Sequence, residues 1–157
     1  MSLRIAPAPV RRDILVAAAP ARAFSIFTSR MGAWWPKSHS VGKSPQADVV
    51  VEPRSGGRWF ERGDDGSECP WGHVIDWDPP GRLLLAWQLD GTWSFNPDLV
   101  TEVEVTFTPE GDGKTRVRLE HRNLERFGAA ADTARNALDS EGGWKGILDL
   151  YATLAAT

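Results

Sequence analysis

A single cysteine, Cys69, stands among the 157 residues. It can close no internal disulfide, so nothing in the chain demands an oxidising compartment, and a cytoplasmic home is the simplest expectation. No apolar run reaches the roughly 18 residues that a membrane span needs. Charge of one sign is scarce too: the formal net charge is -3, with acidic and basic residues interspersed, so DNA and RNA are not expected partners. Cys69, His39 and His73 show no CxxC or HxH spacing, which argues against zinc or any other metal. Gly42-Lys43-Ser44 lacks the upstream glycine and preceding strand of a phosphate loop. Gly56-Gly57 runs into a strand without a following Lys-Ser/Thr pair, so neither a nucleotide nor another cofactor is expected.

What the chain does have is tryptophan, eight against one tyrosine. An indole is a large apolar body with one donor, suited to places that are both greasy and capable of hydrogen bonding. Eight of them build either a bulky core or a pocket wall.

The length fits one domain with a core of its own. Met1-Ser2-Leu3 is compatible with an added leader. The run ILVAAAPARA behind Arg11 and Arg12 imitates a secretory signal, but Asp13 interrupts the charged-then-apolar order. It reads better as a strand over Val10 to Ala17 followed by a helix opened by Pro20, with Ala23, Phe24, Ile26 and Phe27 on its apolar side. A second short helix is expected over Ser29 to Trp35, stopped by Pro36, and then a loop from Lys37 to Gln46.

The middle of the chain reads as strand throughout. Asp48 to Glu52, Arg58 to Arg62, Ser67 to Trp77, Leu83 to Leu89, Thr101 to Thr108 and Thr115 to His121 are separated by turn-forming clusters. Pro70 marks an edge or a bulge. Val103, Val105 and Phe107 alternate with Glu102, Glu104 and Thr106, so one face is buried and one is wet. The last third is helical, over about Ala129 to Leu138 and Glu141 to Ala155. In the latter Trp144, Ile147, Leu148, Tyr151 and Leu154 recur every three or four residues. Gly142 and Gly143 at its start oppose helix propensity. They are expected either to let the backbone pass close to a neighbour while Trp144 turns inward, or, for Gly142, to stop the preceding helix. A sheet with one apolar face needs a cover, and the C-terminal helix is the only element long enough.

This order, with GGRWFE (Gly56 to Glu61), DGSECPWGHV (Asp65 to Val74), DPPGRLLLAW (Asp78 to Trp87), EVEVTF (Glu102 to Phe107) and GGW (Gly142 to Trp144), resembles the helix-grip superfamily. That superfamily includes START domains, birch-pollen allergens, polyketide cyclases and the activator of heat-shock-protein-90 ATPase. The chain is most similar to the bacterial proteins grouped with that activator and with the cyclases. The resemblance covers nearly the whole chain and implies an α+β fold. A curved antiparallel sheet of about seven strands would wrap around a long C-terminal helix, with two short helices after the first strand and residues 1–157 forming a single START-like domain. It also implies a cavity between sheet and helix, which in most members binds a ligand and in a minority catalyses.

By the same resemblance Trp59, Trp87 and Trp144 fall on inward-facing positions, with Trp34, Trp35, Trp71 and Trp93 near the mouth. Trp35, Trp59, Trp71, Trp87, His121 and Trp144 are therefore the candidate ligand-binding residues for a small hydrophobic or aromatic molecule. The alternative for each tryptophan is a filled core.

For catalysis, a four-residue turn over Gly63 to Gly66 would pair Glu61 with Glu68, two carboxylates beside Trp59 suited to proton transfer. The duller alternative has both facing solvent and bonded to Arg58 or Arg62. His121, on the apolar parity of its strand, is either a cavity acid or base or a hydrogen-bonded core residue. Cys69 has no partner signature of a nucleophile. Three functions follow: a ligand-binding protein, a cyclase or hydrolase using Glu61, Glu68 or His121, and a chaperone-regulating interaction module. The last lacks the additional N-terminal domain of the eukaryotic activators. A homodimer and a chaperone partner both stay open.

Overall fold

The computed structural model describes residues 7–157, and the reading of Met1 to Leu3 as a leader lies outside them. The elements are β1 (Val10–Val16), α1 (Pro20–Ser29), α2 (Met31–Trp34), β2 (Gln46–Val51), β3 (Arg58–Gly63), β4 (Glu68–Asp78), β5 (Arg82–Trp87), β6 (Thr101–Pro109), β7 (Thr115–Arg122), α3 (Ala131–Leu138) and α4 (Gly146–Ala155). The strands form one antiparallel sheet in the order β1-β7-β6-β5-β4-β3-β2, in which the first strand pairs with the last. This is the α+β helix-grip architecture, with α4 held on the apolar face. The stretch that imitated a signal holds the end of β1, a bend and the start of α1.

Alternation assigns the two faces. Val103, Val105 and Phe107 of β6 and Val117 and Leu119 of β7 are buried beneath the helices. On the opposite face Arg82 bridges Asp76 and Glu104, and Arg122 bridges Glu102 and Glu104, all within 3.0 Å. These half-exposed pairs keep the outer face wet and contribute little each. The inner face is covered by α1 through Ala23, Phe24, Ile26 and Phe27 and by α4 through Ile147, Leu148, Tyr151 and Ala155.

Two details of β3 and β4 correct the expected pairing. The connecting loop has three residues, not four: Gly63 N donates to Ser67 O at 2.8 Å, and Gly66 closes the turn in the left-handed region at φ 85°. Arg62 therefore pairs with Glu68, and Glu61 with Cys69. A one-residue slip moves a side chain to the other face, so Glu61 and Glu68 stand on opposite faces. Beyond this, Phe60 pairs with Pro70 and Trp59 with Gly72, leaving Trp71 as the extra residue of a β-bulge. Pro70 thus stands next to a bulge, in the part of β4 that pairs with β3 alone.

Candidate functional site

Under the sheet, between the 37–45 loop and the start of the C-terminal helical segment, lies a cavity of about 620 Å³. Trp35, Trp71, Trp87, Trp93 and Trp144 form its aromatic wall, with Leu89, Leu138 and Ile147 filling between them. Hydroxyls of Ser38, Ser40, Thr92, Ser94 and Ser140 supply polarity at its borders, and His39 is its one titratable side chain. The indoles brace one another, tilted for Trp35 and Trp71 and edge to face for the pairs with Trp144. Ring centroids lie 4.8 Å apart for Trp35 and Trp71, 5.8 Å for Trp35 and Trp144, and 5.7 Å for Trp87 and Trp144. The bulge aims Trp71 into this group, the use to which bulges beside sites are often put.

Trp35, Trp71, Trp87 and Trp144 of the expected ligand set line the cavity, whereas Trp59 and His121 do not. Trp59 lies behind Trp71 and Trp87, fully buried, with its N–H on Met31 Sδ at 3.3 Å. Trp34, expected near the mouth, is buried at the far end of the core against Phe27 and Tyr151.

His121 is fully buried in a closed hydrogen-bond chain. Trp144 Nε1–H donates to His121 Nδ1 at 3.1 Å, which leaves the imidazole proton on Nε2. That nitrogen meets Thr101 Oγ1 at 2.8 Å, and Thr101 in turn donates to the Trp87 carbonyl at 3.0 Å. Desolvation drives the histidine pKa down from 6.5 to about 3. His121 is thus a neutral pin that fixes two walls of the cavity, Trp144 by its indole and Trp87 through its backbone.

The carboxylates are also occupied. Glu61, 1% exposed, accepts from Ser40 Oγ at 2.7 Å, Val41 N at 2.7 Å and Gly42 N at 2.9 Å. It anchors the loop that roofs the cavity without lining it. Glu68 sits on the outer face between Arg58 and Arg62, at 3.1 and 3.3 Å, and their cationic hydrogen bonds lower its pKa. Burial, then the Glu61 and Asp65 carboxylates, raise the Cys69 thiol pKa, which disfavours the thiolate a nucleophile needs.

The glycine pair now divides. Residues Glu141–Lys145 form one π-helical turn ahead of α4. A Cβ on Gly143 would lie 2.3 Å from Leu138 O and 2.5 Å from Ala137 O, so the close approach of backbones demands glycine there. Gly142 has no such neighbour within 3.8 Å, its nearest being Ser140 Oγ at 3.9 Å. Nor does it stop the preceding helix, whose cap is Asp139. Its carbonyl instead accepts from His39 Nε2 at 2.6 Å, tying the loop to the π turn across the cavity rim. His39 escaped sequence reasoning because its partner is a backbone atom 103 residues away; only its place in the loop beside Trp34-Trp35 hinted at it.

Sheet, gripped helix and indole-walled cavity define a helix-grip protein with an internal ligand-sized space. The chain belongs to the Activator of Hsp90 ATPase homolog 1-like protein family, whose model matches residues 17–155. Among solved structures it is similar to the anthrahydroquino-γ-pyrone synthase Txn09, with 41% identity over 95% of this chain and 97% of that one and a TM-score of 0.67. It is also similar to CalC, a self-sacrificing resistance protein from Micromonospora echinospora, with 31% identity over 94% of each chain and a TM-score of 0.71. An HSP90 activator from Plasmodium falciparum, 16% identical over 83% of this chain and 87% of that one with a TM-score of 0.53, shares the fold. No curated protein sequence gives a significant match. No helix among the described residues is long and apolar enough to cross a membrane. Among them, too, no three His, Cys, Asp or Glu side chains gather as metal ligands.

Proposed function

We propose that this protein binds a planar polycyclic aromatic molecule in the cavity between sheet and α4, as a single cytoplasmic domain. One observation carries the reading: a cavity of about 620 Å³ walled by five indoles, with His39 its sole titratable lining group. The volume falls in the range of small-molecule sites, and flat aromatic walls favour a flat aromatic guest. The 41% identical relative, an anthrahydroquino-γ-pyrone synthase, supports that ligand class. Titrating tryptophan fluorescence with polycyclic aromatics, fatty acids and sterols tests it. Saturable quenching by the aromatics alone is expected; silence across the panel contradicts the reading.

A second reading, cyclisation of an aromatic polyketide in the same cavity, draws on the synthase. Its proton transfer falls to His39, since neither Glu61, Glu68 nor His121 lines the cavity. His39→Gln then abolishes turnover of an uncyclised aromatic precursor while ligand binding persists. Retained turnover contradicts it.

A further inference from the structure

Two residues of the cavity wall, Trp35 and Trp71, 4% and 1% exposed, carry indole N–H groups that are buried and have no hydrogen-bond partner. Several other buried aromatic polar groups here are engaged. Trp34 Nε1–H donates to Ile26 O, Trp144 Nε1–H to His121, and Tyr151 O–H to Ala23 O. Buried donors are nearly always paired in native proteins, and an unpaired one is unfavourable enough to need a reason. Here two occur side by side, on rings whose centroids are 4.8 Å apart. They come from unrelated elements: Trp35 is the extended residue that ends α2, and Trp71 is the extra residue of the β4 bulge.

We infer that Trp35 and Trp71 form an oxygen-binding subsite of the cavity, selecting a carbonyl-bearing polycyclic ligand, such as a quinone, over the hydrocarbon of the same shape. The inference rests on the cavity being the ligand site. Indole N–H only donates, so its partner must be an acceptor. No lysine or arginine lines the cavity to balance a buried carboxylate or phosphate. A neutral carbonyl, with two lone pairs, can take both donors. The nitrogens are closed off from the open cavity, so a side-chain adjustment must turn them toward the ligand on binding, as is common at binding surfaces. The competing fate of these N–H groups is a weak contact with a ring face, since Trp35 stands edge-on to Trp144 and Trp71 to Trp59. In that case they would serve packing and carry no ligand preference.

Calorimetry with 2-(hydroxymethyl)anthraquinone and 2-(hydroxymethyl)anthracene separates these fates, because both probes are neutral, share shape and substituent, and differ in the two carbonyls. The wild type should favour the quinone by about tenfold, and Trp35→Phe and Trp71→Phe should each cut that preference several-fold. Binding of both probes with a ratio unchanged by either substitution overturns the subsite and leaves the aromatic cavity intact. Failure of the wild type to bind either probe overturns the cavity reading itself, and the subsite with it. Should a variant not fold, infrared spectra of the wild-type complex decide. The bound quinone carbonyl stretch moves to lower wavenumber than in an apolar solvent if the indoles donate to it, and an unmoved band overturns the inference.

Discussion

The two ends of the space beneath the sheet are built from the same residue types and use their polar atoms differently. Beneath α1, Phe24 and Phe27 meet Phe107 at 5.1 and 5.8 Å, and Tyr151 closes on Phe27 at 5.1 Å. There Trp34 and Tyr151 donate to the backbone of α1, at 2.9 and 2.7 Å, and the space is filled. At the other end Trp35, Trp71, Trp87 and Trp144 brace one another around a cavity, and two of their N–H groups lack partners. Aromatic content alone therefore does not make a pocket. The hollow end is held open by devices absent from the filled end: the His121 chain that fixes Trp144, the Glu61 anchor under the loop, and the π turn that Gly143 permits.

Breaking the filled end should have the largest effect on stability and little on binding. Phe107→Ala removes a ring packed on Phe24 and Phe27 and should cost about 3–5 kcal/mol by urea denaturation, with the affinity of an aromatic probe unchanged. At the hollow end, Gly143→Ala forces a methyl against two carbonyls and should cost about 1–3 kcal/mol while also weakening binding, read by denaturation and fluorescence titration.

The His121 pin sharpens the comparison through pH. Its pKa falls from 6.5 to about 3 on burial, so below 6.5 the unfolded chain takes up a proton that the folded chain refuses. Stability from this group is complete above 6.5 and is lost as pH falls toward 3. By pH 5 the loss should be about 2 kcal/mol, and His121→Gln should remove that part of the slope between denaturation curves at pH 7 and 5. The smallest effect belongs to Gly142→Ala, which meets no close neighbour and should shift stability by no more than about 0.5 kcal/mol.

Most of the fold was legible because periodicity reports burial directly. The alternation in β6 and the three-and-four spacing around Ile147, Leu148 and Tyr151 placed both sides of the core. The site was less legible. The Glu61 and Glu68 reading depended on loop length, and Gly63-Asp64-Asp65-Gly66 does not reveal whether Gly63 belongs to the turn or to the strand. The parity of His121 correctly placed it inward, but sequence cannot say that Thr101 and Trp144 would occupy both ring nitrogens. Trp71 entered the wall through a bulge, which Pro70 signalled without specifying.

The central claim is that one end of this aromatic interior receives a ligand and the other does not. NMR of the eight indole N–H resonances during titration with the neutral 2-(hydroxymethyl)anthraquinone tests it most directly. The account predicts that the signals of Trp35, Trp71, Trp87, Trp93 and Trp144 move while those of Trp34 and Trp77, at the filled end, stay. Uniform movement, no movement, or shifts confined to Trp34 and Trp77 would contradict it.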